Sequence, residues 1–318
     1  MEKFKDAHFT IQAPLSAEEP YINETNILAY VQGAIEKMGI ERVNAIALGN
    51  EVQWYEPDAK TYVDHYNQMQ EIIRGAIGSP SEDGKLFTAL DTPDYRDDGP
   101  VKFSVEDTFE AGLKNSKELK YVAEHYYQVG NDDPRELQKG LLNHTTISKK
   151  LDQYIPAINV AHANGAEYIL SETGGVLAYK DPTDASFAAA LWAADFQLYA
   201  MSIGVSRITG VQRPTAKRSL WMPEGVDGVT AQVQGTWYAL PFVAEFLGNQ
   251  DVDTRNVVNI DLDSDFLCAY AIFANGKLAR VAILNMRRWG DAAGTPRSSV
   301  KVSIPKFDSV KDGLRPRG

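Results

Sequence analysis

An α/β protein, with parallel strands joined by helices and a smaller antiparallel β-rich region behind them, is the fold class that three observations predict. Helical hydrophobic spacing alternates with short apolar runs between residues 24 and 250. The helical period disappears from about residue 254, where short β-rich runs take over. No internal repeat, low-complexity tract or flexible linker separates the regions, so a division into 1–252 and 253–318 with direct packing is expected.

Each element has its own signal. Ile27, Leu28, Val31, Ile35 and Met38 share one helical face, with Gly39 as a stop, and Val43 to Leu48 reads as a buried strand. Asp58 is placed to cap a second helix with the stripe Tyr62, Tyr66, Met69, Ile73, followed by a strand from Leu86 to Leu90. Tyr121 to Tyr126 is a further strand candidate. Helical spacing returns at Ile147, Leu151, Tyr154 and Ile158; Gly165 breaks it, and Glu167 to Ser171 reads as a strand. The stripe Phe187, Leu191, Ala194, Leu198, Met201 starts from the cap candidate Asp184 and ends at Gly204, before a fifth strand, Val205 to Thr209. A last helix spans about Trp237 to Leu247. The β-rich runs are Val257 to Leu262, Phe266 to Phe273, Ala279 to Asn285 and Val300 to Ile304, with Asn275-Gly276 as a hairpin turn.

Composition restricts the partners. The 318 residues are 44% hydrophobic, enough for one large domain or two ordinary ones, and the net charge of −11 repels nucleic acid and anionic membranes. No apolar run reaches the roughly 20 residues that span a bilayer. The N-terminus, Met1-Glu2-Lys3-Phe4-Lys5-Asp6, lacks a secretory apolar core and read literally implies the cytosol. The triplets Asn23-Glu24-Thr25 and Asn143-His144-Thr145 fit N-glycosylation and tilt slightly the other way. The single cysteine, Cys268, excludes an internal disulfide and reads as a buried strand residue. The five histidines show no metal-ligand spacing and no phosphate-binding glycine loop occurs, so neither metal nor organic cofactor is expected.

The chemistry concentrates at strand ends. Leu48-Gly49-Asn50-Glu51 closes one strand and Ile169-Leu170-Ser171-Glu172 another, and in a β/α barrel such ends converge on one mouth. Two carboxylates arriving there are the minimum equipment for splitting a glycosidic bond; one must hold a proton and the other must be ionised. A lone strand-end Glu is often only an exposed or helix-capping carboxylate. Its company matters: Asn50 beside Glu51, Thr173-Gly174-Gly175 beyond Glu172, and a third strand with His125-Tyr126-Tyr127.

Gly49-Asn50-Glu51 and Ser171-Glu172-Thr173 resemble the Asn-Glu and Glu strand ends shared by the retaining β/α-barrel glycosidases. Ala47-Leu48-Gly49-Asn50-Glu51, His125-Tyr126, Gly204-Val205-Ser206-Arg207, Trp221-Met222-Pro223 and Tyr238 to Glu245 are similar to fungal glycoside hydrolase family 79, which is β-glucuronidase-like. The resemblance runs from about residue 24 to 290. It implies a partial (β/α)8 TIM barrel, about strands 4 to 8, followed by a partial antiparallel β-sandwich, in an extracellular enzyme that releases a β-linked uronic acid. By the same resemblance Glu51 is the acid/base, Glu172 the nucleophile, Asn50 a donor to the sugar 2-hydroxyl and Tyr126 a hydrogen-bonding partner of the nucleophile. Tyr126 reads equally as a core aromatic. Asp91 and Tyr95 read as loop residues, lining the cleft or simply solvated. Trp221 is a sugar platform or a Trp burying its area. Gly174 and Gly175, in the loop after the nucleophile, offer backbone N–H groups to a substrate.

Five strands do not close a barrel that needs eight, and Met1 to Asn23 stands where three more are expected. A non-catalytic carbohydrate-binding remnant, or a glycosidase of the same clan with another sugar preference, are the alternatives.

Overall fold

A computed structural model describes residues 6–15, 24–78, 84–93, 102–113, 116–130, 137–177, 186–213, 219–225, 230–248, 255–274, 277–288, 299 and 301. Its main feature is a curled parallel sheet, an open half-barrel of six strands that are neighbours in chain order. They are β1 (Phe9–Ala13), β2 (Val43–Leu48), β3 (Phe87–Thr92), β4 (Leu119–Val129), β5 (Glu167–Val176) and β6 (Val205–Gly210).

The first strand adds a sixth to the five that the sequence predicts. Phe9-Thr10-Ile11-Gln12-Ala13 alternates, burying Ile11 and Ala13, and runs parallel to β2 with Ile11 opposite Ile46 and Ala13 opposite Leu48. Being short and half polar, it carries too little apolar signal to stand out in sequence.

The chain forms two compact units. The first comprises 1–126, 154–172 and 205–209 and contains the body of the sheet; the second comprises 127–153, 173–204 and 210–318. In the first, α1 (Glu24–Met38) buries Ile27 and Val31 and stops at Gly39, whose φ of 87° favours glycine. Helix α2 (Ala59–Ile77) starts where Asp58 accepts the Thr61 N–H at 2.8 Å and buries Tyr62, Tyr66, Met69 and Ile73. Helix α3 (Val105–Ala111) was not anticipated, although Ser104 and Asp107 form a reciprocal capping box that signals it. Small and large side chains interlock on one sheet face, where Ala45, Tyr121, Ala123 and Ile169 pack together.

The helical stripe from Ile147 to Ile158 is two helices, α4 (His144–Asp152) in the second unit and α5 (Ile155–Ala163) in the first, with Pro156 in the opening turn of α5. In the second unit, α6 (Phe187–Ser202) is capped by Ser186, which accepts the Ala189 N–H at 3.3 Å. The expected cap, Asp184, lies outside the described residues. Buried on nearly every side, α6 is the central helix of its unit. A short hairpin of β7 (Trp221–Met222) and β8 (Gln232–Val233) and helix α7 (Ala239–Leu247) follow. The β-rich runs become an antiparallel sheet in which β10 (Leu267–Ala274) lies between β9 (Arg255–Ile260) and β11 (Lys277–Asn285). Ala274 pairs with Lys277 at the mouth of the expected Asn275-Gly276 turn, which itself lies outside the described residues; of the expected strand Val300 to Ile304 only Lys301 is described, and it is not in a strand.

Candidate active site

The turn after β2 is built for close approach. Gly49 has φ 88°, and a Cβ there would stand 2.6 Å from Val52 Cγ1 and 2.7 Å from the Tyr55 hydroxyl. Asn50 is exposed, and Glu51 follows in the left-handed region at φ 50°. At the end of the adjacent β3, Leu90 and Asp91 are also left-handed, at φ 77° and 58°. Non-glycine residues held there cost on the order of 1–3 kcal/mol each and concentrate where a structure is fixed for function. The two strained turns are tied together, because the Glu51 N–H donates to the Asp91 carbonyl at 2.6 Å.

Around this tie the polar side chains form one network in the first unit. Buried His125, on β4, presents Nε2 to Asp91 Oδ1 at 3.1 Å and Nδ1 to Glu51 Oε1 at 3.5 Å. Asp91 Oδ1 also accepts from the Ser171 hydroxyl, and Oδ2 accepts from Gln12 Nε2 at 2.5 Å. Gln12 further reaches Asn50 Oδ1 at 3.2 Å and the Gly49 carbonyl at 3.3 Å. Trp54 Nε1 donates to Glu51 Oε2 at 3.1 Å. Beneath, Glu124 accepts from Tyr168 and, at 3.4 Å, from Thr92.

Flanked by carboxylates at both ring nitrogens, the imidazole binds them best with both nitrogens protonated. Burial opposes that charge, but the bonds to Asp91 and Glu51 and the charges of Asp91 and Glu172 outweigh it and raise the His125 pKa to about 9. In return His125 holds the Glu51 carboxyl below its ordinary range, against partial burial and with help from Trp54. The acid role expected of Glu51 calls for a raised pKa, whereas His125 lowers it here.

The other anticipated residues fall as follows. Glu172 lies within β5, in the first unit, near enough for its charge to act on His125. Tyr126 is fully buried, its ring 5.7 Å from that of Tyr154. Asp91 is a buried strand residue rather than a solvated loop residue. Tyr95 lies outside the described residues. Gly174 and Gly175 continue strand β5 instead of forming a loop, and a Cβ on Gly174 would meet Tyr127 Cε1 at 2.8 Å. Trp221 belongs to the second unit, 40% exposed, with its ring edge-on to Trp237 at 5.3 Å. Sequence reasoning missed Gln12, Trp54 and the role of Ser171. Gln12 was legible only through the strand that carries it.

Among the described residues one group has a metal-ligand donor set. His144, Asp195 and Cys268, in the second unit, place ligand atoms within 4.8 Å of one another, although far apart in sequence. These donors are already engaged: His144 Nδ1 meets the Asp195 oxygens at 3.0 and 3.1 Å, and the Tyr270 hydroxyl donates to Asp195 at 2.5 Å. Burial, then the Asp195 charge, pushes the Cys268 thiol far up, so a metal would have to displace a tightly held proton.

No family model matches the chain. It is 33% identical over 221 residues to a β-glucuronidase of Aspergillus niger, covering 65% of this chain and 40% of that protein. It is 27% identical over 230 residues to a β-glucuronidase of Neurospora crassa, covering 64% and 41%. The chain thus spans about two fifths of the length of the curated relatives it matches. The fold matches a 4-O-α-L-rhamnosyl-β-D-glucuronidase from Fusarium oxysporum 12S with a TM-score of 0.69 at 16% identity, over 91% of this chain and 60% of that one. It matches the GH39 enzyme of Xanthomonas axonopodis pv. citri at a TM-score of 0.51 and 16% identity, over 78% and 50%. At these identities the structural likeness is one of fold. In sequence the chain is similar to these two β-glucuronidases, and in fold to the Fusarium and Xanthomonas enzymes.

Proposed function

We propose that this chain carries the catalytic residues of a retaining exo-glycoside hydrolase of the β-glucuronidase-like family 79, which releases a β-linked uronic acid. The observation that carries this reading is one buried network at the strand ends, in which His125 meets Glu51 at 3.5 Å and Asp91 at 3.1 Å, and Asp91 accepts from Ser171, the residue before Glu172. Both relatives matched in sequence are named β-glucuronidase, which supports the substrate class. Residues 1–252 are the catalytic barrel portion and 253–318 a β-sandwich portion in this reading, and the enzyme acts outside the cell on a glycan.

The mechanism follows from the carboxylates. Carboxylate Glu172 attacks the anomeric carbon while the bond to the aglycone oxygen breaks, and Glu51 receives the proton that His125 holds and delivers it to that oxygen. In the second step Glu51 takes a proton from water, the water oxygen bonds to the anomeric carbon, and Glu172 leaves as carboxylate. Asn50 donates to the sugar 2-hydroxyl in this reading, which its exposure beside Glu51 supports. Tyr126 orients Glu172.

A panel of aryl β-glycosides tests the reading. Hydrolysis of the glucuronide above the glucoside is expected. Glu172→Gln should abolish turnover, and Glu51→Gln should spare substrates with good leaving groups while slowing poor ones by about 100-fold or more. Faster turnover of the glucoside would defeat the uronic-acid assignment, and unchanged rates in both variants would defeat the site. Folded protein that binds glucuronides without cleaving them would instead identify a carbohydrate-binding remnant.

A further inference from the structure

We propose that Asp91 is a positioning residue for Glu51, acting on its backbone directly and on its carboxylate through His125. The inference rests on the reading of Glu51 as acid/base, and it takes Asp91 away from any contact with substrate.

Two independent arms join the residues. The backbone arm is the 2.6 Å bond from the Glu51 N–H to the Asp91 carbonyl, which links two consecutive left-handed positions on β3 to the left-handed Glu51. Without that acceptor an N–H at a strained turn would lose its partner, and the turn would have little reason to stay left-handed. The side-chain arm runs from Asp91 Oδ1 to His125 Nε2 at 3.1 Å and from His125 Nδ1 to Glu51 Oε1 at 3.5 Å. Asp91 is 5% exposed and His125 1%, so solvent screens this pair little. Ser171 on Oδ1 and Gln12 on Oδ2 hold the Asp91 carboxylate in one orientation. The charged groups acting on His125 are Glu51 after β2, Asp91 on β3 and Glu172 on β5; on its backbone, the Tyr154 hydroxyl donates to the His125 carbonyl at 2.9 Å.

This arrangement decides where the proton of the pair resides. Asp91 anchors it on His125, and the imidazolium then steers the Glu51 carboxylate and sets the ease with which Glu51 receives a proton. Remove the Asp91 charge, and His125 loses basicity while the backbone arm survives.

The experiment follows the His125 imidazole by NMR through a pH titration of the whole chain, assigned with His125→Gln. In the parent chain His125 is expected to keep its proton to about pH 9. In Asp91→Asn its midpoint should fall by at least about one pH unit. Ser171→Ala, which frees Asp91 Oδ1 for His125 alone, should move the midpoint upward, and this milder change decides the matter where Asp91→Asn fails to fold. An ordinary midpoint near 6.5 in the parent, or one that neither variant moves, overturns the proposal. Where the parent is active, Asp91→Asn should lose about 10-fold or more with poor leaving groups and little with good ones. An equal loss with both would mark a merely structural role. An inactive parent would defeat the glycosidase reading, while the titration would still decide on Asp91.

Discussion

Replacing His125 by Gln should remove most of a pH-dependent contribution to stability whose size follows from the structure. The imidazole is nearly inaccessible, and despite burial its bonds and neighbouring carboxylates raise the pKa from 6.5 to about 9. At about 1.4 kcal/mol per pH unit, that difference is worth about 3 kcal/mol. The folded pKa lies above the unfolded one, so the folded state binds more protons between them. The contribution is therefore complete below about pH 6.5 and is lost as pH rises through about 9. Urea unfolding of the parent and of His125→Gln at pH 6 and pH 10 measures it. The parent should lose about 3 kcal/mol more than the variant over that interval. Parallel stabilities across it would refute the charged imidazole and with it the ion pair to Glu51. Glu51 has the opposite dependence: its lowered pKa gives a contribution that is present above about pH 4.5 and is lost in acid.

Other predictions concern packing and buried polarity. Asp195→Ala in the second unit should cost about 3–5 kcal/mol, because the buried Tyr270 hydroxyl and His144 lose their shared acceptor; a change in unfolding free energy below about 1 kcal/mol would contradict this. Gly174→Ala should destabilise by about 1–3 kcal/mol, since its Cβ would sit 2.8 Å from Tyr127 Cε1. Adding Tyr127→Leu should recover part of that loss in the same unfolding assay. Gln12→Ala should slow glycoside hydrolysis by loosening Asp91 and Asn50 together, and an unaltered rate would show the network to be dispensable.

Elements with long regular periods were legible in the sequence. Strand β2 coincides with the apolar run Val43 to Leu48, and α2 starts from the cap that Asp58 advertises. Shorter elements were hidden for local reasons: β1 offers five half-polar residues, and α3 only seven, behind a capping box. The stripe from Ile147 to Ile158 hid a break because both helices keep the same apolar spacing around Gln153 and Tyr154. At the site, Glu51 and Glu172 stood out because each follows an apolar run that reads as a strand, although β5 continues past Glu172 to Val176. The role of Asp91 did not, because it comes from left-handed backbone and from partners at positions 12, 51, 125 and 171, which only the sheet brings together. Direction of charge was also out of reach: that Glu51 needs a proton is chemistry, whereas the low pKa of its carboxyl depends on an imidazole from another strand.

The central claim is that Glu172 becomes covalently bonded to the sugar, and labelling tests it most directly. An activated 2-deoxy-2-fluoro-β-glucuronide, whose fluorine slows the second step, should inactivate the protein with one sugar added per chain. Peptide mass spectrometry should then find that sugar on the segment containing Ser171-Glu172-Thr173. A sugar on the Glu51 peptide, or steady hydrolysis of glucuronides with no label on Glu172, would contradict the account.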